Sequence, residues 1–298
     1  MLHLHEPMAP GPTMTAMLIK PAPIVATFHA AGSSLAYEVF KPFTSRGSHR
    51  IDIRFAVSDD AAALAQAALG GTYERAFNGV EIERFSPDES AVNDPPTIFF
   101  LARHEQRKGL AVLLEAAAGL SAPFRLIVGG DGPETTELRS RYQSDHRIEW
   151  IGEIGDDEKM QQMRHADIFC APSLHGESFG IVLLEAMAAH TAVVASSLPG
   201  YQKVIVCDDG RQAGALVPPS DPNALRDTLR DLLGNADARS RYVEIGKERV
   251  QTFSMAALAD LYTEAYERTL LIDTPNLHRA RARRGGRRPI MGSPRRLR

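Results

Sequence analysis

Two carboxylates, Glu177 and Glu185, stand in an otherwise apolar stretch, Leu174–His190, reading LHGESFGIVLLEAMAAH. A turn over Leu174 to Ser178 leads into Phe179, Ile181, Val182, Leu183, Leu184, Ala186, Met187, Ala188 and Ala189, which leave no polar face. Such a pattern predicts a buried helix. A charge inside it costs several kcal/mol unless something neutralises it. Two readings are open at this point. Glu185 pairs with a structural Arg or Lys, or both carboxylates face a ligand rich in hydroxyls. With a rise of about 1.5 Å per residue they lie roughly 12 Å apart along the axis, near the length of a nucleotide-sugar. Gly176 and Gly180 let backbone approach a ligand closely. The free N–H groups of Phe179, Gly180 and Ile181 in the first turn would then point at an anion.

An anion needs cations, and the chain offers a group of them. Arg103, Arg107 and Lys108 follow the apolar run PTIFFLAR and precede Gly109, at a strand-to-helix junction. Ligands of parallel sheets bind at such carboxyl ends, and a charge-assisted bond to phosphate is worth about 1.5–3 kcal/mol. A solvated basic loop is the plainer alternative. The run Gly129-Gly-Asp-Gly-Pro133 after FRLIV suits a phosphate-cradling loop, or simply a turn. Lys159 sits in a helical pattern, and His29 ends the apolar run IVATFH; an exposed lysine and a satisfied core histidine are their ordinary roles. Asp59-Asp60, Asp156-Asp157 and Asp208-Asp209 read as caps and turns, so no metal site is expected.

The elements that must position these residues follow from the periodicity. Residues 1–20 read as irregular, with Pro7, Pro10, Gly11 and Pro12. Strands are expected at IVATFHA and over Arg50–Val57, with a helix over Ala61–Leu69 behind Ser58 and a weak amphipathic segment at Leu35–Phe43. SPDESAVNDP at 86–95 is Pro- and acid-rich and predicts a domain boundary. Beyond it, strands alternate with helices. PTIFFLAR, FRLIVGG, IEWIG, ADIFCAP, AVVASS and GALVPP are the strands; Lys108–Leu120, Pro133–Tyr142, Asp156–His165 and Phe179–His190 are the helices. That alternation predicts a parallel, doubly wound α/β sheet. Asp221 caps a helix over Pro222–Leu233, and two more run to about Ile272. The expected division is 1–90, 91–272 and an unstructured tail, 273–298.

HGESFGIVLLEAMAAHTAVVAS, with Glu177 and Glu185 as its two acids, resembles the signature of the retaining family 4 glycosyltransferases of the GT-B fold. FFLARHEQRKG, LIVGGDGPE, MRHADIFCAPS and GALVPPSDPNAL follow in the family's order. HLHEPMAP, PIVATFH, RFAVSD and FNGVEIERF are similar to the actinobacterial phosphatidylinositol mannosyltransferases within it. The resemblance implies a GT-B architecture with a complete C-terminal nucleotide-sugar-binding Rossmann-like domain. The N-terminal, acceptor-side domain is expected to be incomplete, because the family's first strand and glycine-rich loop are not found. The implied activity is transfer of a hexose, mannose from GDP-mannose, with retention to a phosphatidylinositol-type lipid, without a metal or other cofactor. In this reading Arg103 and Lys108, helped by Arg107, hold the diphosphate, and Gly130 lines the donor cleft. Ile154 and Lys159 hold the base, and Glu185 the ribose diol. Glu177 takes the sugar hydroxyls near the reacting carbon, Phe179, Gly180 and Ile181 supply backbone donors, and His29 faces the sugar or acceptor. Glu177 and His29 are thus the expected catalytic residues. Ala102 stands where the family has Gly, a departure that would crowd the backbone.

The chain has 298 residues, 44% hydrophobic and 24% charged, as expected for one large or two medium globular domains. Two cysteines, Cys170 and Cys207, make no disulfide framework, and MLHLHEPMAP lacks the pattern of a signal peptide. No apolar run approaches the roughly 18 residues of a bilayer span. A cytoplasmic protein is therefore expected, and the resemblance, through its inositol-lipid acceptor, implies a peripheral place on the inner membrane face. Net charge is −3, but Thr274–Arg298 holds nine arginines and no acid, so the remainder is strongly acidic. The tail suits anionic lipid, or none; it lacks interleaved aromatics that would stack bases, so nucleic acid is not an expected partner. Beside transfer, two rivals remain: a nucleotide-sugar-binding fragment without turnover, and a family 4 transferase with another donor and acceptor.

Overall fold

In the computed structural model, residues 1–30, 48–85 and 94–271 are described. The chain divides into two compact units: Met1–Ala76 with the residues from Asp260 onward, and Phe77–Ala259.

The first unit carries a four-stranded parallel sheet of β1 (Leu2–His5), β2 (Ile24–Phe28), β3 (Ile53–Ala56) and β4 (Glu74–Arg75), in that order across the sheet. β2 is buried throughout, as its unbroken apolar run requires of a parallel central strand. Helix α1 (Pro12–Ile19) and helix α2 (Asp59–Leu69) join the strands. The Ser58 hydroxyl accepts from the Ala61 N–H at 3.0 Å and caps α2. Ile24, Ala26 and Phe28 pack with Ala61 and Ala65 on one face, while Val25, Ile53 and Phe55 pack with Ala265 on the other. Residues 1–20 are therefore not irregular. The prolines that suggest breakage include Pro12, which opens α1 where no amide hydrogen is needed. β1 is four residues long, too short for its alternation of Leu and His to stand out.

The second unit carries six parallel strands: β5 (Thr97–Leu101), β6 (Arg125–Gly129), β7 (Ile148–Gly152), β8 (Ile168–Ala171), β9 (Ala192–Ser196) and β10 (Ala215–Val217). Across the sheet the order is β10, β9, β8, β5, β6, β7. The helices are α3 (Ile82–Phe85), α4 (Leu110–Ala118), α5 (Thr135–Arg141), α6 (Asp156–His165), α7 (Ile181–Ala188), α8 (Pro199–Ile205), α9 (Pro222–Gly234) and α10 (Ala236–Gln251). Ile98 and Phe100 on one sheet face pack with Leu113 and Leu229; Phe99 and Val193 on the other pack with Leu183 and Val204. The expected doubly wound α/β fold is what forms. From β5 the chain proceeds one way to β6 and β7, and from β8 the other way to β9 and β10. The two directions part between β5 and β8, and a crevice opens at the carboxyl ends of such a pair. Helix α11 (Met255–Leu270) supplies its first residues to this unit and those from Asp260 to the other.

Three further expectations differ from this arrangement. Residues 77–85 belong to the second unit, ahead of the expected boundary at 90. There Phe77 meets Phe253 edge-on at 5.5 Å, and the Val80 N–H donates to the Phe253 carbonyl at 2.9 Å. The chain from Asp260 belongs with the first unit, where Tyr262 packs edge-on against Phe55 at 5.3 Å. Helix α8 was not expected at all. The segment Leu35–Phe43, most of the 86–95 linker and the tail from 272 lie outside the described residues.

Candidate active site

The loops after β5 and β8 meet at this crevice. The Leu174 N–H donates to the Arg107 carbonyl at 2.7 Å. Gly109 has φ +72°, and a Cβ there would collide with the Pro172 carbonyl, so this position requires glycine. This contact brings Lys108 to Glu177, 69 residues later in the chain: Nζ donates to Oε1 at 2.5 Å. Arg107 approaches the same oxygen at 3.5 Å through Nη1 and pairs with Glu105 at 2.7 Å through Nε. The Ser173 hydroxyl donates to it as well, at 3.0 Å.

Arg103, Arg107, Lys108, Glu177, Gly180 and Ile181 line one recess of about 450 Å³, together with Phe179. Gly180, at φ +97°, forms the N-cap of α7, so the helix opens into this recess with the amides of its first turn. A second recess, about 630 Å³, is lined by Arg103, Gly130 and Ile154; a third, about 230 Å³, by Ile181, Lys159 and Glu185. Arg103 is common to the first and second, Ile181 to the first and third, so the three adjoin. Helix α7 is not buried at its start: Ile181 is 43% exposed, because the first turn borders the open recesses.

Both acids have protein partners. Lys159 Nζ donates to Glu185 Oε1 at 2.9 Å, reaches Asp156 at 3.4 Å, and lies 5.6 Å over the Phe85 ring. The structural-pair reading of Glu185 is therefore satisfied, and the pair still borders a recess that a ligand could enter.

The glycine-rich loop is braced from within. A Cβ on Gly130 would collide with the Ala102 carbonyl, and one on Gly132 would meet the His104 carbonyl at 2.5 Å. Close packing against the β5 loop thus explains these glycines without a phosphate. His104, fully buried, shares hydrogen bonds with Thr135 Oγ1 at 2.8 Å and the Gly129 carbonyl at 3.2 Å. Burial holds its pKa below the usual value.

His29 belongs to the other unit, just past β2. Its Nε2 shares a hydrogen with His5 Nδ1 at 2.8 Å, and the rings stack at 5.1 Å. The Glu6 carboxylate accepts from the N–H of His29 and, at 2.8 Å, from that of Ala30. Burial, then His5, lowers the His29 pKa, which favours a neutral imidazole. Among the described residues no group of His, Cys, Asp or Glu is placed to hold a metal ion.

Sequence reasoning missed His104, Ser173 and Tyr201. Ser173 had a signal in its place four residues before Glu177 and just past a buried strand. Tyr201 had none, because α8 itself was not recognised.

The chain is similar to known proteins over most of its length. The profile described as glycosyl transferases group 1 matches residues 81–249. The phosphatidyl-myo-inositol mannosyltransferase of Mycobacterium leprae is 41% identical over 276 residues, covering 89% of this chain and 72% of that protein. A solved glycosyltransferase from Rickettsia africae superposes with a TM-score of 0.72 at 18% identity, covering 91% of this chain and 77% of the other. Anabaena HepE, solved with UDP and glucose, gives 0.67 at 19% identity, covering 85% and 76%. At that identity the two structures speak to the fold alone, and they carry the GT-B arrangement of two Rossmann-like sheets.

Proposed function

On the premise that this chain belongs to the group 1 glycosyl transferases, we propose that it moves a hexose, mannose from GDP-mannose, with retention, to a phosphatidylinositol-type lipid. One observation carries the donor half: Arg103, Arg107, Lys108, Glu177 and the first turn of α7 line one recess at the crevice between β5 and β8. Three cations and a helix N-terminus suit a diphosphate, and a carboxylate suits sugar hydroxyls. The bond from the anomeric carbon to the diphosphate breaks as a bond to the acceptor hydroxyl forms. The charge left on the diphosphate is stabilised by Arg103, Lys108 and the helix dipole, so the proposal involves no metal. Glu185 with Lys159 takes the ribose, Ile154 and Lys159 the base, and His29 the sugar or acceptor. The named relative's own activity supports the mannosyl and inositol-lipid assignments. The reaction is placed by this proposal at the cytoplasmic face of a membrane, where such a head group is presented. No helix among the described residues is long and apolar enough to cross a bilayer.

A second reading, nucleotide-sugar binding without transfer, is favoured by one fact: every residue assigned here to the diphosphate, ribose and base lies within Phe77–Ala259. Calorimetry with GDP-mannose and UDP-sugars, followed by a transfer assay on phosphatidylinositol, tests both. Binding with transfer supports the first reading. Binding alone selects the second, and no binding to any sugar nucleotide removes both.

A further inference from the structure

Helix α8 lies directly against the turn that carries Glu177. A Cβ on Gly200 would collide with the Glu177 carbonyl, and one on Gly180 would meet Tyr201 Cδ1 at 2.7 Å. Tyr201 is 2% exposed, and its hydroxyl lies 3.1 Å from Ser173 Oγ. The direction of this chain of hydrogen bonds follows from proton counting. A carboxylate only accepts, so Ser173 spends its one proton on Glu177 Oε1 at 3.0 Å. Its oxygen is then open to accept from Tyr201, whose hydroxyl is also within hydrogen-bond reach of Glu177 itself. Burial, then the charge of Glu177, raises the Tyr201 pKa, so the phenol keeps its proton. The donors from Ser173, Lys108 and Arg107 all go to Oε1. Packing alone does not ask for a hydroxyl here, since a phenylalanine ring would fill the same space.

We propose that Tyr201 is a positioning residue for the sugar: its hydroxyl, acting on Glu177 directly and through Ser173, holds the carboxylate in place to accept from a hydroxyl of the donor's hexose. The relay polarises along its length, so each bond steadies the next. This inference rests on the donor reading above, in which Glu177 meets the sugar.

The test is calorimetry on the full chain with two probe pairs, GDP-mannose with GDP and UDP-glucose with UDP, using the pair whose sugar form binds. Y201F keeps the ring against Gly180 and removes the hydroxyl. It is expected to weaken the sugar nucleotide about three- to tenfold and leave the bare diphosphate unchanged. S173A should also weaken the sugar nucleotide selectively, because it removes one donor to the same carboxylate. Melting curves establish that each variant is folded. An equal loss for both probes, or no loss for either, overturns the proposal, the first because it marks mere packing of the turn. E177A separates the two failures. If E177A weakens the sugar nucleotide selectively and Y201F does not, the relay falls and the donor reading stands. If E177A changes neither probe, both fall.

Discussion

Helix α7 has an acid–base pair at each end, and the two pairs are wired differently. Their burial is alike: the side chains of Lys108 and Glu177 are 21% and 13% exposed, those of Lys159 and Glu185 19% and 14%. At the mouth, one oxygen of Glu177 collects Lys108, Ser173 and Arg107 from two loops, with Tyr201 behind Ser173. In the interior, Glu185 is paired with Lys159, which has a second carboxylate within reach in the exposed Asp156. A carboxylate held from several sides is preorganised and recognises without moving. A carboxylate whose partner has somewhere else to go can exchange that partner for a ligand. Equal burial therefore does not mean equal rigidity, and the first end suits stereochemical selection while the second suits an adaptable grip.

The largest test of this contrast is E177A, expected to weaken sugar-nucleotide affinity about a hundredfold, since it removes charged bonds and leaves Lys108 unpaired. Calorimetry measures it, and an equal cost for E185A would erase the distinction between the ends. R103A comes next, at about tenfold, and should weaken nucleotide-sugar and bare diphosphate alike, because the proposed donor reading gives this guanidinium to the phosphates. Smaller again, a K159A/E185A double-mutant cycle on unfolding free energy should give a coupling below about 1 kcal/mol, as expected of a partly solvated pair. A larger coupling would make that end as firmly held as the other. A last test separates both ends from the first unit. Burial, then the nearby His5 and His29, lowers the His3 pKa to about 4. The unfolded chain protonates this ring near 6.5 and the folded chain does not, so stability is present above 6.5 and is lost as pH falls toward 4. The melting temperature should drop by a few degrees over that window, and His3→Gln should flatten the slope while the donor-site variants leave it in place.

How much of this was legible depends on where the signal lives. The buried strands of the second unit are apolar runs, and parallel sheets covered on both faces demand such runs, so their order was readable. Helix α6 has its expected bounds, Asp156–His165, because acids crowd its first turn and bases its last. Helix α8 was lost because PGYQKVI opens with Pro-Gly, which reads as a turn, and because its seven residues are held by tertiary contact at Gly200 and Tyr201. In the site, the carboxylates and cations stood out as residue types. Their pairing did not, since the partners are 69 and 26 residues apart and only the strand order joins them. The glycines of 129–132 read two ways for a related reason: their closest demand comes from the β5 loop, which local spacing cannot reveal.

The hydrogen bond from Leu174 to Arg107, with Gly109 pressed on Pro172, has a consequence for how this protein can change over generations. Surface loops ordinarily tolerate insertions and deletions freely. These two cannot vary in length one at a time, because an extra residue in either would slide the Arg107 carbonyl off its partner and carry Lys108 away with it. Diversification of the crevice is therefore expected to proceed by side-chain replacement, or by paired changes on both strands' exits, since altering one loop alone would part Lys108 from Glu177.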